Sequence, residues 1–79
     1  MNKAKKKQKR VVQRYLLTMR GCEACDYAKK KLKAKIMSGK IKIVTPSNYK
    51  AVKIVQALNV REVPVLIQEL DDGTFRKEW

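Results

Sequence analysis

The residues VVQRYLLTMRGCEACDYAKKKLKAKI, numbered 11–36, contain the change of pattern that decides the fold. Val11 to Met19 is almost continuously apolar and rich in β-branched and leucyl side chains, which predicts a buried strand. Gly21 breaks this run, and an apolar stripe with helical spacing follows. The stripe consists of Cys25, Ala28, Leu32 and Ile36. The segment therefore predicts a strand that leads directly into a helix, with two cysteines at the junction.

The chain after this helix alternates again between strand and helix patterns. Gly39 follows the helix, and Ile41 to Val44 predicts a short second strand. The turn at Pro46 and Ser47 predicts the cap of a second helix, from about Asn48 to Leu58. The helix residues expected to face the core are Ala51, Val55 and Leu58.

The last third of the chain predicts a hairpin. Pro64 opens the apolar run Val65 to Ile67, and proline is tolerated at the first residue of a strand. Asp71, Asp72 and Gly73 are a strong turn signal, so we expect Thr74 to Glu78 to return as an antiparallel strand. The order is β-α-β-α-β-β, which predicts an α/β fold with a four-stranded mixed sheet.

Length and charge limit the organisation and the partners of the chain. Seventy-nine residues suffice for one domain, which we place at residues 11–79. Residues 1–10 contain six basic and no acidic side chains, so we expect a flexible tail there. A net charge of +13 favours acidic partners. Since no apolar run has the length of a signal peptide or membrane span, we expect a cytoplasmic protein without membrane association.

The two cysteines are expected to differ chemically. Cys22 falls at or next to the helix N-cap, where unpaired backbone N–H groups and the helix dipole stabilise a thiolate. Cys25 lies one turn later in the apolar stripe, where we expect it to be buried. This asymmetry suits dithiol exchange, with Cys22 as the attacking and Cys25 as the resolving thiol. Arg20 adds positive charge near Cys22. Tyr27 could flank the site or pack against the sheet, and we favour packing because an aromatic residue in a helix usually belongs to the core.

Two segments resemble the thioredoxin-fold family, and its glutaredoxin-like members most closely. They are Tyr15 to Thr18 leading into Cys22-Glu23-Ala24-Cys25, and LNVREVPVL at residues 58–66. The resemblance implies that Pro64 follows a cis peptide bond beside the cysteines and that Val63 offers its backbone to substrate. It further implies a thiol–disulfide oxidoreductase without a bound cofactor, acting on protein disulfides and recycled by glutathione or a reductase.

The chain also departs from this family in its last segment. Glutaredoxins continue after the hairpin into a final helix, for which this sequence has no counterpart. One sheet face is therefore expected to be partly bare unless Trp79, the tail or a second subunit covers it. We accordingly expect a monomer or a weak homodimer.

Three other interpretations follow from the same residues. Two thiolates could supply half of a zinc site, but zinc prefers four ligands, so a dimer would be required. A pI near 10.1 permits nucleic-acid binding, for which we expect only nonspecific contacts to phosphate. The third interpretation is a structural disulfide. A bridge between residues three apart removes little entropy from the unfolded chain, so it would stabilise the fold only slightly.

Overall fold

The computed structural model describes residues 10–79, whose four strands form one mixed sheet. The strands are β1 (Val11–Leu17), β2 (Ile41–Val44), β3 (Val65–Leu70) and β4 (Phe75–Lys77). They lie in the order β2-β1-β3-β4, with β1 and β2 parallel and the other two pairs antiparallel. The predicted α/β class and the mixed four-stranded sheet of a small thioredoxin-like fold are thus confirmed.

The first predicted helix is divided in two at Leu32. The segments are α1 (Glu23–Lys31) and α2 (Lys33–Met37), and Leu32 lies between them with φ of −102° and ψ of 14°. Lys29 and Lys33 are like charges four residues apart, as are Lys31 and Lys35, and this spacing destabilises a continuous helix. The order is therefore β-α-α-β-α-β-β, although both segments pack on the same face of the sheet.

The third helix, α3 (Tyr49–Leu58), packs on the opposite face. Its N-cap is Asn48, whose side chain accepts a hydrogen bond from the Lys50 N–H at 2.8 Å. The expectation that Ala51 faces the core is confirmed, whereas Val55 and Leu58 are only partly buried. Ile54 is fully buried but was not predicted to face the core. It completes the i, i+3, i+4, i+7 stripe of this helix, so its spacing could have predicted its burial.

The helices divide the core into two clusters, one on each side of the sheet. Under α1 and α2 lie Leu16, Ala28, Ile41 and Leu66, with Leu32 and Ile36 packed against them. Under α3 lie Tyr15, Leu17, Val44, Ala51, Ile54, Val65 and Ile67. Residues of β1 and β3 alternate between the clusters, as the twofold periodicity of a strand requires. The sheet is therefore covered on both faces where β1 lies at its centre.

The terminal hairpin is confirmed. Gly73 has a positive φ of 87°, and the Thr74 N–H and hydroxyl both donate to the Asp72 carboxylate. The regular part of the last strand is shorter than predicted, although the backbone of Leu66 still pairs with Glu78 and Trp79. This pairing brings the end of the chain to the side of β3.

The sheet face that was expected to be bare carries a chain of polar side chains. Arg76 donates to Gln68 at 2.8 Å, and Gln68 and Arg14 donate to Glu78 at 3.0 and 2.9 Å. Burial acts to raise the pKa of Glu78, but these hydrogen bonds and the Arg14 charge outweigh it and hold the pKa below its ordinary value. This part of β3 and β4 is consequently polar, and the oligomeric state stays a prediction.

Of the predicted basic tail, residues 1–9 lie outside the described residues. Arg10 is exposed, and its carbonyl accepts a hydrogen bond from the Asp71 N–H at 2.9 Å. The backbone of Arg10 is thus attached to the hairpin that ends β3. No helix among the described residues is long and apolar enough to cross a membrane.

Candidate active site

Cys22 is the N-cap residue of α1. Its backbone is extended, with φ of −100° and ψ of 110°, and its Sγ accepts a hydrogen bond from the Cys25 N–H at 3.0 Å. A sulfur at this place receives N–H groups that have no partner within the helix. A thiolate there is stabilised by the same N–H groups and by the helix dipole, so the predicted place of Cys22 is confirmed.

Cys25 lies one turn further along α1 and is 0% exposed. It forms a disulfide with Cys22, which is partly exposed, and the two Cα atoms are 5.2 Å apart. The predicted asymmetry is therefore present: Cys22 is partly exposed and Cys25 is buried. An incoming reactant can contact Cys22 first, and Cys25 only after Cys22 has reacted.

Pro64 lies beside the cysteine motif. The peptide bond between Val63 and Pro64 is cis, as the family resemblance implies. Pro64 shares with Ala24 the wall of an open groove of about 490 Å³. Ala24 lies between the two cysteines in the chain, so the groove reaches the cysteine motif, although neither cysteine lines it. We call it the motif groove.

The lining of the motif groove is mostly apolar. Its residues are Ala24, Tyr27, Ala28, Lys31, Leu32, Pro64 and Trp79. Tyr27 and Trp79 are 64% and 47% exposed, and the Lys31 ammonium lies 5.7 Å from the centre of the Tyr27 ring. Large exposed aromatic side chains around a concave apolar surface are typical of sites that bind other molecules.

The prediction that Tyr27 packs against the sheet is wrong. Tyr27 lies off the buried stripe that begins with Cys25 and Ala28, and this offset could have predicted its exposure. Trp79 was considered only as a cover for the sheet. Its contribution to the groove depends on the pairing of the chain end with Leu66, which no local sequence pattern indicates.

The other two predicted site residues, Arg20 and Val63, differ in exposure. Arg20 is exposed in the turn that precedes Cys22, and no ion pair between described residues includes it. Val63 is partly buried and packs against the core cluster under α3. No hydrogen bond among residues 10–79 involves the Val63 backbone.

The site contains no set of ligands for a metal ion. Among residues 10–79, no three or more His, Cys, Asp and Glu side chains lie close enough together to hold one. Zinc in proteins is usually held by four ligands. A zinc site at Cys22 and Cys25 would therefore need side chains from a second molecule.

Comparisons of the chain with protein-family models, with curated proteins and with solved structures found no match.

Proposed function

We propose that this protein is a thiol–disulfide oxidoreductase that reduces or exchanges protein disulfides through Cys22 and Cys25. One observation carries the proposal: Cys22 is both the N-cap of α1 and the partly exposed partner of a buried thiol. The N-cap favours the thiolate that thiol–disulfide exchange requires. The buried partner provides an intramolecular second thiol.

The reaction proceeds in two exchanges. The Cys22 thiolate attacks one sulfur of the substrate disulfide, and the substrate S–S bond breaks. The other substrate sulfur leaves as a thiolate and takes a proton from water, while Cys22 stays bound in a mixed disulfide. Cys25 then loses its proton and attacks the Cys22 sulfur, which releases the second substrate thiolate. The substrate has gained two electrons, and the protein is left with the Cys22–Cys25 disulfide.

The motif groove supports this function because it gives the substrate chain a place beside the attacking sulfur. An apolar side chain of the substrate can pack between Tyr27 and Trp79. The unpaired backbone groups of Val63 can accept and donate hydrogen bonds to an extended substrate segment. The groove thus favours polypeptide disulfides flanked by apolar residues.

Recycling requires a reductant that returns two electrons to the disulfide. We propose a low-molecular-weight thiol such as glutathione, or a separate reductase, and no bound cofactor. We also propose a cytoplasmic location, because a reducing compartment keeps the attacking thiol available. Arg20 is exposed in the turn before Cys22, and its positive charge would attract an acidic substrate.

Two cysteine variants test the mechanism. We expect Cys22→Ser to abolish turnover of a fluorogenic peptide with one intramolecular disulfide. We expect Cys25→Ser to accumulate a mixed disulfide, seen by mass spectrometry as the mass of protein plus peptide. If Cys22→Ser turned the peptide over as fast as the wild type, the proposal would be wrong.

Aromatic variants test the groove separately. Tyr27→Ala should lower kcat/KM for a peptide with leucine next to its disulfide by about fivefold to thirtyfold, the value of a buried apolar contact of about 1–2 kcal/mol. Tyr49→Ala is the matched control, since Tyr49 is also highly exposed but lies on α3 at the opposite face. Equal effects of both variants would exclude the groove as a binding site.

A further inference from the structure

A second surface, on the outer side of α1 and α2, combines lysines with exposed apolar side chains. It surrounds an open depression of about 360 Å³ and does not include the cysteines. Its residues are Lys29, Lys30, Lys33, Ile36, Met37 and Ile43. We call this surface the lysine-ringed patch.

The centre of the lysine-ringed patch is apolar. Met37 is 76% exposed, and Ile43 is 38% exposed on β2, which is an edge strand of the sheet. Apolar side chains from a helix and from the sheet edge therefore meet at one place on the surface. Removal of such a surface from water is favourable, and contiguous exposed apolar residues mark interaction sites.

The border of the patch is strongly positive. Between Arg20 and Val44 the chain has eight basic and two acidic residues. The Lys29 ammonium lies 3.9 Å from the Asp26 carboxylate, and the side chains of Lys29 and Asp26 are 39% and 71% exposed. No ion pair between described residues includes Lys30 or Lys33, and no carboxylate lines the patch. Charge complementarity therefore requires an acidic partner.

The apolar centre distinguishes a protein partner from a nucleic acid. Lysines can neutralise phosphates without any apolar contact, and single-stranded nucleic acids bind aromatic side chains by base stacking. The patch has no aromatic residue, and Met37 and Ile43 would stay exposed beside a phosphate backbone. We propose that the lysine-ringed patch docks an acidic amphipathic segment of a partner protein, with its apolar residues on Met37 and its carboxylates against Lys30 and Lys33.

This docking does not depend on the cysteine chemistry. The patch begins at Lys29, seven residues after Cys22, which is roughly 10 Å along a helix. A segment bound to the patch leaves the partly exposed Cys22 sulfur and the motif groove accessible. Binding can therefore be measured with a ligand that contains no cysteine, so its outcome is separate from that of the redox proposal.

The probe is a cysteine-free peptide of twelve residues in which leucines recur among glutamates. Binding is measured by fluorescence anisotropy at 50 and 150 mM salt, and the contact surface is mapped by amide chemical shifts. We expect Lys30→Gln/Lys33→Gln to weaken binding about threefold to tenfold, since exposed ion pairs each contribute little. Met37→Gln should weaken it about threefold or more, and higher salt should weaken it further.

Matched variants elsewhere on the surface are the controls. Lys53→Gln/Lys77→Gln removes the same two charges from α3 and β4, and Met19→Gln removes an exposed methionine outside the patch. Less than a twofold effect of these variants supports the proposal. If the two double variants weakened binding equally, the attraction would be a general effect of net charge. If an oligonucleotide of twenty nucleotides bound more tightly than the peptide at 150 mM salt, and Met37→Gln left that binding unchanged, the surface would be assigned to nucleic acid instead.

Discussion

Reduction of the Cys22–Cys25 disulfide should destabilise the protein only slightly. The bridge closes a loop of four residues. The loop-entropy relation for a cross-link assigns to a loop of this length about 1.9 kcal/mol of stability at 25 °C. Reduction also frees the Cys22 thiolate at the N-terminus of α1, where a negative charge is stabilised by about 0.3–1 kcal/mol. The difference leaves a net loss of about 0.9–1.6 kcal/mol.

This quantity also connects stability with redox chemistry. Folding and reduction of the bridge form a thermodynamic cycle. The stability lost on reduction therefore equals the free energy of reducing the bridge in the folded chain minus the free energy of reducing it in the unfolded chain. At 30 mV for 1.4 kcal/mol, the predicted loss corresponds to about 20–35 mV. Folding therefore makes the bridge only slightly harder to reduce. The proposed redox cycle requires this, because the protein must pass repeatedly between its oxidised and reduced forms.

Urea unfolding at pH 7, followed by far-ultraviolet circular dichroism with and without a phosphine reductant, measures this loss. The variant Cys25→Ala, which cannot form the internal bridge, controls for effects of the reductant itself. A loss of more than about 4 kcal/mol, in the upper range for native structural disulfides, would refute the reasoning. The bridge would then be a structural element of the fold.

Three further predictions concern the fold. Burial and the hydrogen bond to Glu69 raise the pKa of Tyr15 to about 12, so the folded chain keeps the phenol proton to higher pH than the unfolded chain. The free energy of unfolding should therefore fall by about 2 kcal/mol between pH 10 and pH 12, and Tyr15→Phe should remove this dependence. Ile54→Ala should cost about 2–5 kcal/mol in urea unfolding, whereas Val52→Ala on the exposed side of α3 should change stability by about 0.5 kcal/mol or less. Asn48→Ala should cost about 1 kcal/mol through loss of the N-cap hydrogen bond, and an unchanged unfolding midpoint would exclude that capping role.

Much of the fold was predictable because it depends on local periodicity. The change from a continuous apolar run to helical spacing after Gly21 placed Cys22 at the start of α1 and Cys25 on its buried side. Pro64 and the turn at Gly73 likewise act over a few residues, so they indicated β3 and the hairpin. Local patterns do not predict the order of the strands in the sheet, which only the resemblance to a known family implied.

The same chain also contains features that local patterns do not predict. The division of the first helix at Leu32 was not predicted, because the apolar stripe from Cys25 to Ile36 continues across it. The motif groove exists because α1, Pro64 and Trp79 come from distant parts of the chain and meet beside the disulfide. The lysine-ringed patch likewise needs the parallel pairing of β1 and β2, which brings Ile43 to the side of Met37.

The sequence by itself determined the element types, the place of the two cysteines at a helix start and the difference in their burial, because these follow from side-chain spacing within one or two turns. The tertiary structure alone decided which surfaces are built around α1: the motif groove on one side and the lysine-ringed patch on the other. The motif groove is made of residues far apart in the chain, and the contacts within both surfaces depend on how strands pair and how helices pack on the sheet.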